Sequence, residues 1–290
     1  MPAGNWILRF HLVHVCLVAV LAAAIPTAIE YRLPELTVAI TTMNRWEPFL
    51  SSFLQIYLDN SLVTYVLVCD ETGSDIESIQ ASQWRDHPKL ILRPNNRRVG
   101  IYHNKRGCVQ QSPTEWVALL DSDNLFRHDF FDSLADIWRS EGADPMHLYA
   151  AGHVFHHDLE AETQTAIIHG DVLVRRQNWN DVVYSGRNWN FMCNGGNWVL
   201  HRSAANVLPA AIMDKDVLAT DAIFMLRIMV FHGYMLDVRS GLRYTHFGHG
   251  QSSFLSELER NVEIWVSTDY DIADYKSCLS ILETRYICIF

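Results

Sequence analysis

The sequence predicts an α/β fold with a central, mainly parallel sheet flanked by helices. Three observations carry this. Short β-rich apolar runs alternate with segments of helical periodicity. The runs are apolar almost throughout, as strands covered on both faces are. Polar clusters stand at the carboxyl ends of three of them, at Thr41-Thr42, Asp70-Glu71 and Asp121-Ser122-Asp123. Open parallel sheets bind ligands at that end, so the three clusters would meet along one crevice, which points to a nucleotide site.

The elements follow in order. Trp6 to Ile25 is an apolar segment closed by Pro26. Its length suits a signal-peptide core or a short membrane anchor. Ala22-Ala23-Ala24 offers a cleavage site, while the reach back to Trp6 is long enough for an anchor; a peripheral or buried helix is the third reading. Residues 1–30 are therefore expected to be a signal peptide or signal anchor, 31–255 a catalytic domain and 256–290 a C-terminal extension. A first strand is predicted at Leu36–Ile40, followed by the polar loop Thr41–Arg45. Phe49, Leu50, Phe53, Leu54 and Tyr57 give a helix within Glu47–Asn60 one buried face. Strands follow at Val63–Cys69, Leu90–Leu92 and Trp116–Leu120, the last running into Asp121-Ser122-Asp123, with a helix beginning near His128. Ile167–Val174 is β-rich, Asn197–Leu200 reads as a strand, and Val217–Phe231 is apolar almost all round, as a buried helix is.

Composition narrows the function. The 290 residues include 33 acidic against 23 basic side chains, a formal net charge of −10, which argues against a nucleic-acid partner. The six cysteines contain no pair with C-x-x-C spacing, which argues against zinc and leaves a disulfide open.

Asp121-Ser122-Asp123 is the strongest chemical signal. On extended backbone, residues two apart project to the same side. Two carboxylates at one strand end can then grip a hard divalent cation, Mg²⁺ or Mn²⁺, beside a diphosphate. The same residues also make an ordinary acidic turn or helix cap. Gly195-Gly196-Asn197-Trp198 admits two readings as well. The glycines permit close approach of a sugar, with the tryptophan as a stacking wall, or the segment is a hairpin turn.

Taken together, these motifs resemble the GT-A glycosyltransferases, in particular family 2, from about Leu36 to Ser253. The resemblance rests on Thr41 to Arg45 after the first strand, Asp70-Glu71 after the second, Asn96 and Asn104 at a spacing of eight, and the strand ending in Asp121-Ser122-Asp123. Further on come Asp221, Phe224, Leu226, Arg227 and Gly233-Tyr234, then Tyr244, His246, Ser252 and Ser253, with His249 as an alternate histidine. The chain departs from the pattern at Arg98, where the family has glycine, and at Thr220, where it has an acidic residue.

The resemblance implies an inverting, metal-dependent transfer of a sugar from a nucleotide-diphosphate donor to a hydroxyl on a glycan, glycoprotein or glycolipid. It implies that Thr41, Arg45 and Asp70 hold the nucleoside, that Asn96, Asn104 and Ser122 line the donor cleft, and that Lys105 and Arg98 meet phosphate. Asp123 would be the main ligand of Mn²⁺ or Mg²⁺, Asp121 would contact the metal through its bound water or the ribose, and His246 or His249 would be a further ligand. Asp221 would be the catalytic base, or, in the plainer reading, an acidic residue at a helix start. Gly195, Gly196, Asn197 and Trp198 would face the acceptor. A nucleotidyltransferase is the runner-up enzyme, disfavoured because Thr41 to Arg45 contains no glycine. A non-catalytic sugar- or nucleotide-binding protein on the same scaffold is the alternative of another class. With a signal or anchor at its N-terminus, the chain would act in a secretory lumen of the Golgi or endoplasmic reticulum type.

Overall fold

Seven consecutive residues with no polar side chain but threonine, Leu36–Thr42, form β1, buried along its whole length. They lie in a computed structural model that describes residues 32–183, 198–210 and 221–248. The chain divides between Leu33 and Pro34, and the description below concerns the unit that starts at Pro34. The expected leader at 1–30 and extension at 256–290 lie outside the described residues. Among the described residues, no helix is long and apolar enough to cross a membrane.

β1 is followed by a wide turn at Trp46–Leu50 and helix α1 (Ser51–Leu58). The helix starts later than periodicity predicts because Glu47 precedes a proline and takes an extended conformation, φ −98°, ψ 129°. Then come β2 (Val63–Asp70), α2 (Ser74–Gln80), β3 (Leu90–Pro94), α3 (Ile101–Gln110) and β4 (Trp116–Asp121). The short β5 (Asn124–Phe126), α4 (Phe130–Glu141), β6 (His147–Asp158), β7 (Thr163–Ile168) and β8 (Val172–Val174) follow. After α5 (Trp179–Val183) come β9 (Trp198–His201), α6 (Asp221–Phe231) and β10 (Met235–Gly248).

The strands form one sheet in the order β3-β2-β1-β4-β9-β6-β10-β5, with β7 beside β6 and β8 beside β10. β1, β2, β3 and β4 pair in parallel, as do β6 and β10. β9 runs antiparallel between β4 and β6, and β5, β7 and β8 are also antiparallel to their neighbours, so the sheet is mixed around a parallel half. Trp198 is fully buried in β9, its backbone paired with both Leu119 and Ala150. This corrects the expectation of an acceptor-facing stacking wall: Trp198 belongs to the core, with no exposed face to offer a sugar.

The chain moves outward from β1 to β2 to β3, then crosses back to β4 on the other side of β1. With right-handed crossovers, α1 and α2 cover one face of the sheet and α3 the other. The switch point therefore falls between β1 and β4, and the crevice beyond their carboxyl ends is where such a sheet binds ligands.

A disulfide joins Cys69, near the end of β2, to Cys108 on α3, at a Cα–Cα distance of 5.9 Å. It fastens α3 to the strand ends across a sequence separation of 39. For a loop of this size, the chain-entropy argument gives about 4 kcal/mol of stabilisation. Replacing both residues by alanine is expected to lower the unfolding free energy by that order, measured by urea denaturation. An unchanged midpoint would mean that the bond does not constrain the unfolded chain.

Candidate active site

At the switch point, Thr41 of β1 stands directly beside Asp121 of β4 in the parallel register. The Thr41 hydroxyl donates to Asp121 Oδ1 at 3.0 Å, and the Ser122 backbone N–H donates to the Thr41 carbonyl at 3.0 Å. Lys105 reaches the same carboxylate from α3, its Nζ donating to Asp121 Oδ2 at 3.0 Å. Lys105 is only 2% exposed. The Asp121 carboxylate offsets part of the cost of burying an ammonium that deep. On the outer side, Arg45 Nε lies 3.6 Å from Asp123 Oδ2, while Asp123 Oδ1 accepts from Asn124 Nδ2 at 3.1 Å. The acidic pair is thus flanked by two cations, one buried and one partly exposed.

The floor of the site comes from the other half of the sheet. β5 begins at Asn124, immediately after Asp123, and pairs antiparallel with β10, which puts His246 opposite Asn124 and Tyr244 opposite Phe126. Tyr244 is fully buried, and its phenol is held well above its ordinary range, first by burial and then by the Asp121 and Asp123 carboxylates. It remains a neutral hydroxyl beneath the acidic pair. The His246 ring stacks on His156 of β6, with centroids 5.6 Å apart and planes 18° from parallel. Gly248 makes room for this: a Cβ there would stand 3.0 Å from His156 Nε2. His156 is shifted to lower pKa by burial, with the Asp158 carboxylate opposing. Among the described residues, no group of three His, Cys, Asp or Glu side chains lies together in a ready-made metal cage.

The loops beside the crevice are tied down by two carboxylates. Asp70 is fully buried; its Oδ1 accepts from the Thr72 N–H and hydroxyl, and its Oδ2 from the N–H groups of Asp75 and Ile76. Both oxygens are therefore engaged in starting α2, where a carboxylate is favoured. This geometry gives Asp70 a structural task at the place where the resemblance implied nucleoside contact. Asp75, which sequence reasoning missed, accepts from the backbone N–H groups of Arg45 and Trp46 and from the Thr42 hydroxyl. It anchors the loop that carries Arg45. Asn44 sits in that loop with φ 57°, its side-chain oxygen accepting from Ser74 Oγ at 2.7 Å. The run Gly73-Ser74-Asp75 before apolar Ile76 and Ile79 is a helix-start signal. It could have located α2, though not the bonds to Arg45.

Other expected residues fall in different places. Asn104 donates to the Cys69 carbonyl at 3.1 Å and accepts from Asn95 Nδ2 at 3.0 Å. The partner of Asn104 is thus Asn95, and the expected Asn96 is exposed. Arg98 Nε lies 3.6 Å from Glu71, beside the end of β2. Asp221 opens α6, which packs against α3, the helix of Asn104 and Lys105. Gly195, Gly196, Asn197 and His249 lie outside the described residues.

No family profile matches the chain, and no curated protein matches it in sequence. Solved structures do match in three dimensions. TarS of S. aureus, residues 1–349, in complex with UDP-GlcNAc, superposes with a TM-score of 0.59 at 13% identity, over 83% of this chain and 69% of that one. A second structure of TarS residues 1–349 gives 0.54 at 12% identity, over 83% and 68%. GalNAc-T7, determined with UDP, GalNAc and Mn²⁺, gives 0.54 at 13% identity, over 81% of this chain and 48% of that one. At such identities the likeness concerns architecture, and it agrees with the mixed sheet and its switch point: the chain has the GT-A fold.

Proposed function

We propose that this protein is a metal-dependent glycosyltransferase, which moves a sugar from a nucleoside diphosphate to a hydroxyl acceptor with inversion. The observation that carries the reading is the set Thr41, Arg45, Lys105, Asp121 and Asp123, gathered at the switch point of a GT-A sheet. The similar folds add support: TarS is seen with UDP-GlcNAc, and GalNAc-T7 with UDP and Mn²⁺.

The residues fit a divalent ion. Asp121 and Asp123 offer hard oxygens two residues apart at one strand end, and Mg²⁺ and Mn²⁺ commonly take one or two carboxylates and complete their shell with substrate phosphates. His246, on the strand paired to Asn124, is the candidate for a further ligand. When bound, the cation supplies charge neutralisation for the departing diphosphate. Lys105 and Arg45 add fixed positive charge beside the same phosphates. The acceptor oxygen attacks the anomeric carbon while the bond from that carbon to the diphosphate oxygen breaks. The diphosphate leaves with the bonding electrons, and Asp221, at the start of α6, takes the proton from the acceptor hydroxyl. The acceptor is a glycan, glycoprotein or glycolipid.

The Cys69–Cys108 bond favours an oxidising compartment. Together with the apolar N-terminal segment, it supports action in a secretory lumen, with residues 1–30 as signal or anchor, 31–255 as the catalytic domain and 256–290 as an extension.

Calorimetric titration with uridine, guanosine and thymidine diphosphates in Mn²⁺ tests the donor site. One base is expected to bind clearly better than the others, with uridine the first to try. Failure of all three, with Mn²⁺ or Mg²⁺, would reject the reading.

A further inference from the structure

The half of the sheet that floors the acidic pair has a second face. Neighbouring residues of an extended strand project to opposite sides. Tyr244 and His246 therefore share one face of β10, and Arg243 and Thr245 share the other. The register sets Arg243 beside His153 and Thr245 beside Phe155 of β6. Arg127, just past β5, joins the same face: its backbone N–H donates to the Arg243 carbonyl at 3.2 Å. The Arg127 guanidinium lies 4.4 Å over the Phe155 ring, and the His153 ring stacks on Phe155 with centroids 4.3 Å apart. Arg243 Nη1 pairs with Asp129 Oδ2 at 2.9 Å.

The polar groups of this face are poorly satisfied. Arg127 is partly buried, and among the described residues no acceptor meets its guanidinium; its Nε is shut off from water. His153 Nε2, Thr245 Oγ1 and Asp129 Oδ1 are likewise buried without a partner, and Thr245 is only 5% exposed. A half-buried guanidinium without an acceptor is costly, and the aromatic ring offsets only part of that cost. The two arginines bring two positive charges against one on Asp129. Burial first, and then Arg243 and Arg127, lower the His153 pKa, with Asp129 opposing. The chemistry that answers these donors is an acceptor-rich anion. Guanidinium forks match the oxygens of phosphate and sulfate, and a hydroxyl and a neutral imidazole N–H can donate to the same group. Asp129 competes with such a ligand for Arg243, whose side chain is 47% exposed.

We infer that Arg127, Arg243, His153 and Thr245 form a binding site for a phosphate or sulfate group, on the sheet face opposite Tyr244 and His246. The group is either a free inorganic anion or an ester carried on a sugar. The inference uses none of the donor-site residues and stands or falls apart from that reading.

Isotopic labelling of histidine lets the His153 ring be followed by NMR in the full-length protein, with His153→Gln identifying its signal. The titrants are inorganic phosphate, a sulfated disaccharide and the same disaccharide without sulfate, at low ionic strength so that screening is weak. The His153 signal is expected to move saturably with phosphate or with the sulfated sugar, the tighter of the two marking the source, and to stay in place with the neutral sugar. Arg127→Gln should weaken that binding about tenfold or more, the scale of a lost hydrogen bond to a charged group. Arg243→Gln should weaken it about threefold, and Asp129→Asn should tighten it about threefold, as for an exposed competing ion pair. A merely structural cluster would not give Asp129→Asn a higher affinity for an anion. If Arg127→Gln does not fold, Arg243→Gln and Asp129→Asn decide the matter. No saturable movement with either anion, or equal affinity in wild type and the folded variants, would overturn the site.

Discussion

Asp123→Ala is expected to abolish metal-dependent binding of nucleoside diphosphate and to lower sugar transfer about 10²–10³-fold, the scale on which loss of one preorganised charge-stabilising group is felt. The argument is local. Asp123 is one of two carboxylates at the end of β4, and its removal leaves Asp121 alone, with Lys105 on one of its oxygens and Thr41 on the other. The carboxylate that Arg45 faces at 3.6 Å is removed as well. The cost to the fold is small. The side chain of Asp123 is partly exposed, and such a pair contributes about 0–1 kcal/mol. Circular dichroism and the melting midpoint should therefore stay near wild type while binding collapses. A variant that still binds diphosphate only in the presence of metal would place the ion elsewhere.

Asp221→Asn is expected to separate binding from chemistry. Affinity for the donor should remain within a few-fold of wild type, while transfer falls about 10²–10⁴-fold, the range associated with a general base. Asp221 begins α6, and α6 packs against α3, the helix that supplies Lys105. The competing account makes Asp221 an acidic residue favoured by the positive end of its helix, worth about 0.3–1 kcal/mol. The two accounts differ in what they move. A helix-end role predicts a slightly lower melting midpoint with turnover intact; a base role predicts turnover lost, with the pH dependence of any residual rate flattened on its acid side.

The first half of the sheet was legible because burial leaves β1, β2 and β4 as runs of apolar residues broken only by threonine, and their polar ends mark the crevice. β6 and β10 escaped for an equally physical reason. The second half of β6, His153 to Asp158, is rich in histidine and only partly buried, so it shows neither an apolar run nor alternation. β10 carries Asp237, Arg239, Ser240 and Gly241 within a stretch where its register against β6 shifts, between Arg239 and Arg243. An irregularity of that kind erases the two-residue period. Gly152 faces the same irregularity: a Cβ there would stand 2.7 Å from the Arg239 carbonyl carbon, so its glycine answers a close approach between strands that no local pattern announces.

The acidic pair and Thr41 were readable as candidates, because a strand end is a local feature. Their partners were not. The Lys105–Asp121 pair and the contact of Asp75 with the Arg45 loop span 16 and 30 residues, and only the folded chain brings them together. Asp70 shows the converse. Its position after β2 matches a ligand-binding pattern, yet its oxygens are taken up by Thr72, Asp75 and Ile76. Trp198 was singled out for its neighbouring glycines, and the sheet closes over it.

The central claim, transfer from a nucleotide sugar, is tested most directly by the release of nucleoside diphosphate from a panel of nucleotide sugars in Mn²⁺, using full-length protein. One donor is expected to be hydrolysed slowly in the presence of Mn²⁺ and much less when the ion is chelated, since water can replace the acceptor in such a site. No release from any donor, with either Mn²⁺ or Mg²⁺, would contradict the account and leave a GT-A scaffold that binds without transferring.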